Sequence, residues 1–161
     1  MEPIQEIIVM KNEILNNPEC LITSTRVFNF SQRLVFKAWT TPEYLKKWWG
    51  PKGFTNTFHE FDLREGGKWV FTMHAPEQGN FNNEVEFIKI EEPNLIWWNR
   101  ISQPLFQVYT TFETVDGNKT KVIFNMVFDT KEARDKLIKF VPEKNEENFD
   151  RLEAVLKEMA G

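Results

Sequence analysis

Two carboxylates, Glu60 and Asp62, lie one residue apart in a stretch where apolar and polar residues alternate. Residues two apart in a strand point to the same face, so both are predicted to share the inward face of Phe58. A buried carboxylate must find a donor or stay protonated. Such a group could anchor a polar ligand atom, or act as an acid or base at one end of an apolar pocket. The alternative is a structural ion pair between Asp62 and Arg64.

The other residues capable of chemistry form no site that we can recognise. His59 and His74 are the only two histidines, and a regular hairpin would point both outward. A zinc site needs three or four suitably spaced ligands, and Cys20 is remote in sequence, so we expect no metal. Outward histidines also leave a Ser-His-Asp or Cys-His arrangement without support. The sequence has no glycine-rich phosphate loop, so no cofactor is expected.

Length and composition indicate one globular domain with a large aromatic interior. The chain has 161 residues, with 15 Phe and 6 Trp but only 2 Tyr, and large apolar rings either fill a core or line a cavity. The net charge of −4 argues against nucleic acid as a partner. No apolar run is long enough for a membrane span, and the first residues lack the order of a signal peptide. We therefore expect a cytoplasmic protein with no membrane partner.

The chain must position these residues with the following elements. Residues 1–20 show apolar residues at helical spacing and predict an amphipathic N-terminal extension. This extension could pack on its own domain, form a homodimer or partner contact, or be disordered. Residues 21–161 form the domain proper, in the order strand, two short helices, six strands and long helix. Ser31 and Thr130 are predicted helix N-caps, and Pro142 is predicted to interrupt the final helical stretch. The predicted strands are 21–30, 54–63, 68–74, 81–90, 95–100, 106–115 and 119–128.

Consecutive strands joined by short turns predict an antiparallel sheet with one apolar face to cover. Only the long C-terminal helix, from about 143 to 159, can lie across that face. A curved sheet around a helix usually leaves a cavity, and the aromatic side of each strand is predicted to face it. The predicted ligand-binding residues are Phe58, Glu60, Trp69, Phe71, Met73, Val85, Phe87, Val108, Thr110, Phe112, Phe124, Met126, Phe149, Leu152 and Leu156, with Trp49 near the entrance.

These assignments depend on strand register, because one bulge turns a whole strand over. Residues 88–90 are already ambiguous, since Glu84 and Glu86 share the parity of the two isoleucines at positions 88 and 90. Trp97 and Trp98 are adjacent on a strand and must point to opposite faces.

Several segments resemble the activator-of-heat-shock-protein-90-ATPase homologue-like branch of the START/polyketide-cyclase superfamily. They are Val-Phe-Lys-Ala-Trp-Thr-Thr-Pro-Glu at 35–43, Trp-Trp-Gly-Pro at 48–51, Phe-Asp-Leu-Arg-Glu-Gly-Gly-Lys-Trp at 61–69, Ile-Glu-Glu-Pro-Asn-Leu-Ile-Trp at 90–97, and the helix at 148–156. The resemblance runs from about 21 to 159. It implies a seven-stranded α+β helix-grip fold with an internal pocket, and it implies no particular reaction.

Three functions follow as hypotheses. The first is a non-enzymatic module that binds a small, mostly apolar molecule between sheet and helix. The second is a cyclase- or hydrolase-type enzyme that uses Glu60 or Asp62 as acid or base. The third, implied only by the resemblance, is a co-chaperone-like domain that binds a protein.

Overall fold

The computed structural model describes residues 14–161, in which a seven-stranded antiparallel sheet curves around a long C-terminal helix. The predicted N-terminal helix falls largely on residues 1–13 and so lies outside the described residues. The strands are β1 (Leu21–Phe28), β2 (Thr55–Phe61), β3 (Lys68–Ala75), β4 (Gly79–Glu91), β5 (Leu95–Arg100), β6 (Gln107–Val115) and β7 (Lys119–Val127). The helices are α1 (Gln32–Thr40), α2 (Pro42–Trp48), α3 (Lys131–Asp135) and α4 (Val141–Ala160).

The strand order across the sheet is β1-β7-β6-β5-β4-β3-β2. Strands β2 to β7 are therefore neighbours in chain order, as short turns require. β1 pairs with β7 at one edge, and α1 and α2 carry the chain to β2 at the opposite edge. The α+β helix-grip architecture predicted from the sequence is confirmed.

Local signals set the ends of the helices. The Ser31 hydroxyl accepts a hydrogen bond from the Leu34 amide at 3.3 Å, and Thr130 caps α3 through the Ala133 amide at 3.1 Å, so both predicted N-caps are confirmed. Pro142 was predicted to interrupt the helical stretch. It instead lies in the first turn of α4. The missing N–H of a proline costs no hydrogen bond there, because first-turn amides have no partner within the helix.

Two bulges correct the predicted register. In β2, His59 and Glu60 together oppose Val70, because the register shifts between Phe58 and Glu60. In β4 the register shifts between Phe87 and Lys89, which resolves the ambiguity at 88–90. Each extra residue turns the rest of its strand over, so both ends of these strands can present apolar residues to the interior.

Helix α4 covers the inner face with Phe149, Leu152, Val155 and Leu156, all of them buried. The Phe149 ring meets Phe28 edge-on at 5.8 Å between centroids. Burying four such side chains stabilises the fold by about 6–12 kcal/mol at 1.5–3 kcal/mol each. On the rim, Arg26 pairs with two carboxylates of α4, Glu146 at 3.0 Å and Asp150 at 2.8 Å.

None of the helices in the described part of the chain combines the length and apolar character needed to cross a membrane.

Candidate functional site

A cavity of about 140 Å³ lies between the inner face of the sheet and α4. Its walls come from β3, β4, β5 and β7, from the loop after α2 and from the first half of α4. Seven lining residues are apolar or aromatic: Trp49, Phe71, Met73, Trp98, Phe106, Phe124 and Met126. Besides Gly50, the remaining lining residues are polar: Asn83, Arg100, Asn145 and Asn148. An apolar wall with a few polar groups is the usual composition of a small-molecule site.

The other end of the interior is packed mainly with tryptophan side chains. Trp39 contacts Trp48 at 4.7 Å between ring centroids, and Trp49 contacts Trp69 at 5.2 Å and Trp98 at 6.1 Å. Only about 10 Å³ of space remains at this end, between α1, α2 and the sheet. The aromatic residues thus pack one end of the interior solid and leave the cavity at the other.

Trp49 and Gly50 line the cavity at the start of the segment 49–54, and α4 holds this segment by hydrogen bonds. The side-chain oxygen of Asn148 accepts from the Gly50 amide at 3.1 Å. Arg151 donates to backbone carbonyls of the same segment, among them that of Phe54 at 2.9 Å. Gly50 has φ +101°, and an added Cβ would lie 2.8 Å from the Met73 side chain. The wall is therefore fixed by contacts specific to glycine, asparagine and arginine.

Arg100 is the one charged side chain among the described residues that line the cavity. It is held by neutral groups: Nη1 donates to the Asn83 side-chain oxygen, Nε to the Ser102 carbonyl at 3.1 Å, and Nη2 to the Gln103 carbonyl at 3.1 Å. Its guanidinium lies over the Phe106 ring, 5.7 Å from the centroid. Burial lowers the pKa of Arg100 from its ordinary value, although an arginine stays charged.

Of the predicted ligand-binding residues, five line the cavity: Trp49, Phe71, Met73, Phe124 and Met126. Ten others do not line it: Phe58, Trp69, Val85, Phe87, Val108, Thr110, Phe112, Phe149, Leu152 and Leu156. They belong to the inward-facing interior, where Trp69, for example, stacks on Phe71 at 4.1 Å. Their contact with a ligand stays a prediction.

The inward position predicted for Glu60 is wrong. The bulge at His59 and Glu60 makes Glu60 oppose the outward residue Val70, and its side chain is exposed. Phe61 takes the inward position instead, opposite Trp69.

Asp62 forms the ion pair expected of the alternative interpretation, with its carboxylate 2.7 Å from Arg64 Nε. Both partners lie at the surface of the β2–β3 turn and neither lines the cavity. The histidines face outward, as predicted, and bind threonines: His59 contacts Thr72 at 2.8 Å and His74 contacts Thr57 at 2.7 Å. No group of three or more potential metal ligands occurs within residues 14–161.

The polar residues of the cavity were not among the ligand-binding residues predicted from the sequence. Arg100 follows Ile96 and Trp98 at a spacing of two, so alternation alone places it on the inward face. On α4, Asn145 lies four residues before the buried Phe149 and Asn148 four residues before the buried Leu152, so both share the inward face. Both signals are present in the sequence, but polar residues at the ends of elements are usually exposed.

The family model described as "Activator of Hsp90 ATPase homolog 1-like protein" matches residues 29–157. No curated protein matches the chain.

Solved structures similar to the chain come from several bacteria. A crystal structure from Nitrosomonas europaea is 21% identical, with a TM-score of 0.81 over 89% of this chain and 97% of that chain. A solution structure from Arthrobacter aurescens is 21% identical, with a TM-score of 0.80 over 88% of both chains. A solution structure from Staphylococcus epidermidis is 25% identical, with a TM-score of 0.77 over 87% of this chain and 91% of that one.

Proposed function

Because the chain belongs to the activator of Hsp90 ATPase homolog 1-like family, we propose that it binds one small, mostly apolar molecule between its sheet and α4. The observation that carries this proposal is the cavity of about 140 Å³. Protein interiors are close-packed and contain few voids larger than a water molecule. An opening of this size under α4, beside a solid cluster of tryptophans, supports a binding role.

The volume sets the size of the ligand. An engineered apolar cavity of about 150 Å³ binds benzene, so the apolar part of the ligand is about one aromatic ring. Drug-sized ligands occupy roughly 300–1,000 Å³, and a molecule of that size would have to extend beyond this cavity. Trp49 and Trp98, both in the wall, supply the flat surfaces on which a ring stacks.

We do not propose catalysis by Glu60 or Asp62. The first is exposed on the outer side of a bulge and the second is paired with Arg64 at the surface. A general acid or base must come within hydrogen-bond reach of the reacting proton, and neither group lines the cavity that would hold a substrate.

The experiment is a titration with two one-ring probes, 3-phenylpropan-1-ol and 3-phenylpropanoate, followed by tryptophan fluorescence and by native mass spectrometry. We expect saturable binding of at least one probe in a one-to-one complex. The double variant Met73→Phe/Met126→Phe replaces two methionines of the cavity wall by larger aromatic side chains. It should weaken that binding at least tenfold. Met159→Phe is the matched control, because Met159 lies near the end of α4 and does not line the cavity.

Two results would overturn the proposal. One is the absence of saturable binding by either probe. The other is unchanged affinity in the folded double variant, which would move the binding site elsewhere. A native mass that shows the bare chain and no probe complex would instead favour the protein-partner hypothesis.

A further inference from the structure

Arg100, which is half-buried, lines the cavity and has no carboxylate partner among the described residues. Its pKa is lowered by burial, and no acidic side chain of the described residues offsets that effect. Asp129 shares a neighbouring surface groove with Arg100, but the two form none of the ion pairs found in the described chain. Removing a cation from water is costly unless an opposite charge or hydrogen bonds compensate for it.

The hydrogen bonds of Arg100 leave part of the guanidinium unused. A guanidinium has five N–H donors. In the structure, one is used by the Ser102 carbonyl, one by the Gln103 carbonyl and one by the Asn83 side chain. One N–H on each terminal nitrogen therefore has no acceptor among residues 14–161. A carboxylate has two acceptor oxygens, so it is a group that can accept from both terminal nitrogens.

Arg100 is held in place by contacts within the protein. Asn83, which is 4% exposed, holds one arm of the fork and itself donates to the Phe81 carbonyl at 2.9 Å. The two carbonyls of the β5–β6 loop hold the other side, and Phe106 packs against the flat face. A donor held in place in this way loses little freedom when it binds an anion.

We propose that the ligand of the cavity carries a carboxylate, and that Arg100 binds it while the ring occupies the apolar wall. This inference deepens the proposed function and rests on it. The lining supplies one positive charge among the described residues, which matches a monoanion. A phosphate would bring nearly two negative charges, and the lining has no second cation to balance the second. The ligand class is therefore a small aryl-substituted carboxylic acid.

The test compares acids with their matched alcohols on the full chain. The acids are phenylacetate and 3-phenylpropanoate, and the neutral probes are 2-phenylethanol and 3-phenylpropan-1-ol. We expect the folded wild-type protein to bind each acid about 10- to 100-fold more tightly than its alcohol, as a charge-assisted bidentate contact provides. Arg100→Met should reduce the ratio of acid affinity to alcohol affinity to about one.

Two further variants separate the effect of charge from the effect of structure. Arg100→Lys retains the charge but not the planar set of guanidinium donors, and should retain only part of the preference for acids. Arg33→Met is the control, because Arg33 is exposed on α1 and its loss should leave both affinities unchanged. If Arg100→Met fails to fold, the comparison of acid with alcohol in the wild-type protein still tests whether the cavity prefers a carboxylate.

The outcomes distinguish this inference from the proposed function. If the wild-type protein binds acids and alcohols equally well, the role of Arg100 is overturned while the cavity remains a binding site. If Arg100→Met keeps the preference for acids, a different residue binds the carboxylate and the inference is also overturned. If neither class of probe binds, the proposed function fails and the inference fails with it.

Discussion

Replacement of Arg151 should loosen the cavity wall, because this side chain makes several of the hydrogen bonds that hold the segment after α2. Arg151 lies on α4, and its two terminal nitrogens donate to four backbone carbonyls within 3.0 Å. These belong to Lys47 at 2.8 Å, Gly50 at 2.9 Å, Pro51 at 3.0 Å and Phe54 at 2.9 Å. The carbonyls at the end of α2 have no further helical partner, and a cation there also faces the negative end of the helix dipole.

The magnitude follows from this count. At about 1 kcal/mol net for each hydrogen bond, four bonds contribute about 4 kcal/mol. Arg151 is only half-buried, so water can replace part of what is lost, and the freed side chain regains rotamer entropy. We therefore expect Arg151→Met to lower the free energy of unfolding by about 3 kcal/mol, which for a chain of this size lowers Tm by about 6–12 °C.

Urea unfolding followed by tryptophan fluorescence measures this change, with the slope m checked for two-state behaviour. Arg33→Met removes an exposed arginine from α1 and should change stability by less than about 0.5 kcal/mol. Arg151→Lys should fall between the two, because an ammonium has three donors and no fork. A loss in Arg151→Met no larger than that of the control would refute the reasoning that these carbonyl contacts hold the wall.

Two further predictions concern the β2–β3 turn and the outer face. Gly67→Ala should destabilise the protein by at least 2 kcal/mol more than Gly66→Ala in the same urea assay. An added Cβ at Gly67 would lie 2.1 Å from the Asp62 carbonyl, whereas one at Gly66 meets nothing within 4 Å and bears only the cost of φ +82°; equal losses would contradict this. Burial raises the pKa of Tyr109, whose buried hydroxyl has no partner in the described chain. Because the folded pKa is the higher one, the stability that depends on the neutral phenol is complete below about pH 10 and is lost as pH rises further. Tyr109→Phe should thus change stability at pH 7 by less than about 1 kcal/mol and flatten the alkaline loss; an unchanged alkaline curve would contradict this.

The fold could be predicted from the sequence because its signals are local and repeated. Alternating apolar residues mark each strand, and short turns after β2 leave each strand to pair with its chain neighbours. Ser31 and Thr130 start helices through their own side chains. None of these features depends on distant parts of the chain, so each can be predicted correctly even where another element is predicted wrongly.

The cavity could not be predicted in the same way, because it depends on register and on volume. One extra residue at His59 and Glu60 replaces a carboxylate by Phe61 on the inner face. Nothing in a single sequence distinguishes a bulged strand of seven residues from a regular one. Volume is harder still, because Trp39, Trp48 and Trp49 fill one end of the interior only through their mutual packing.

The apolar wall and the one charged residue of the cavity would contribute differently to selectivity among ligands. An apolar wall around one ring distinguishes ligands poorly, since a methylene more or less changes binding by only about 1–3 kcal/mol. A fixed donor is more selective, because a ligand that lacks the matching group leaves it unpaired. Arg100 is such a donor, held by Asn83 and by two loop carbonyls at the edge of the cavity. If Arg100 binds the ligand as proposed, the cavity should select for charge more strongly than for shape, and acids that differ by one methylene should differ less in affinity than either differs from its own alcohol.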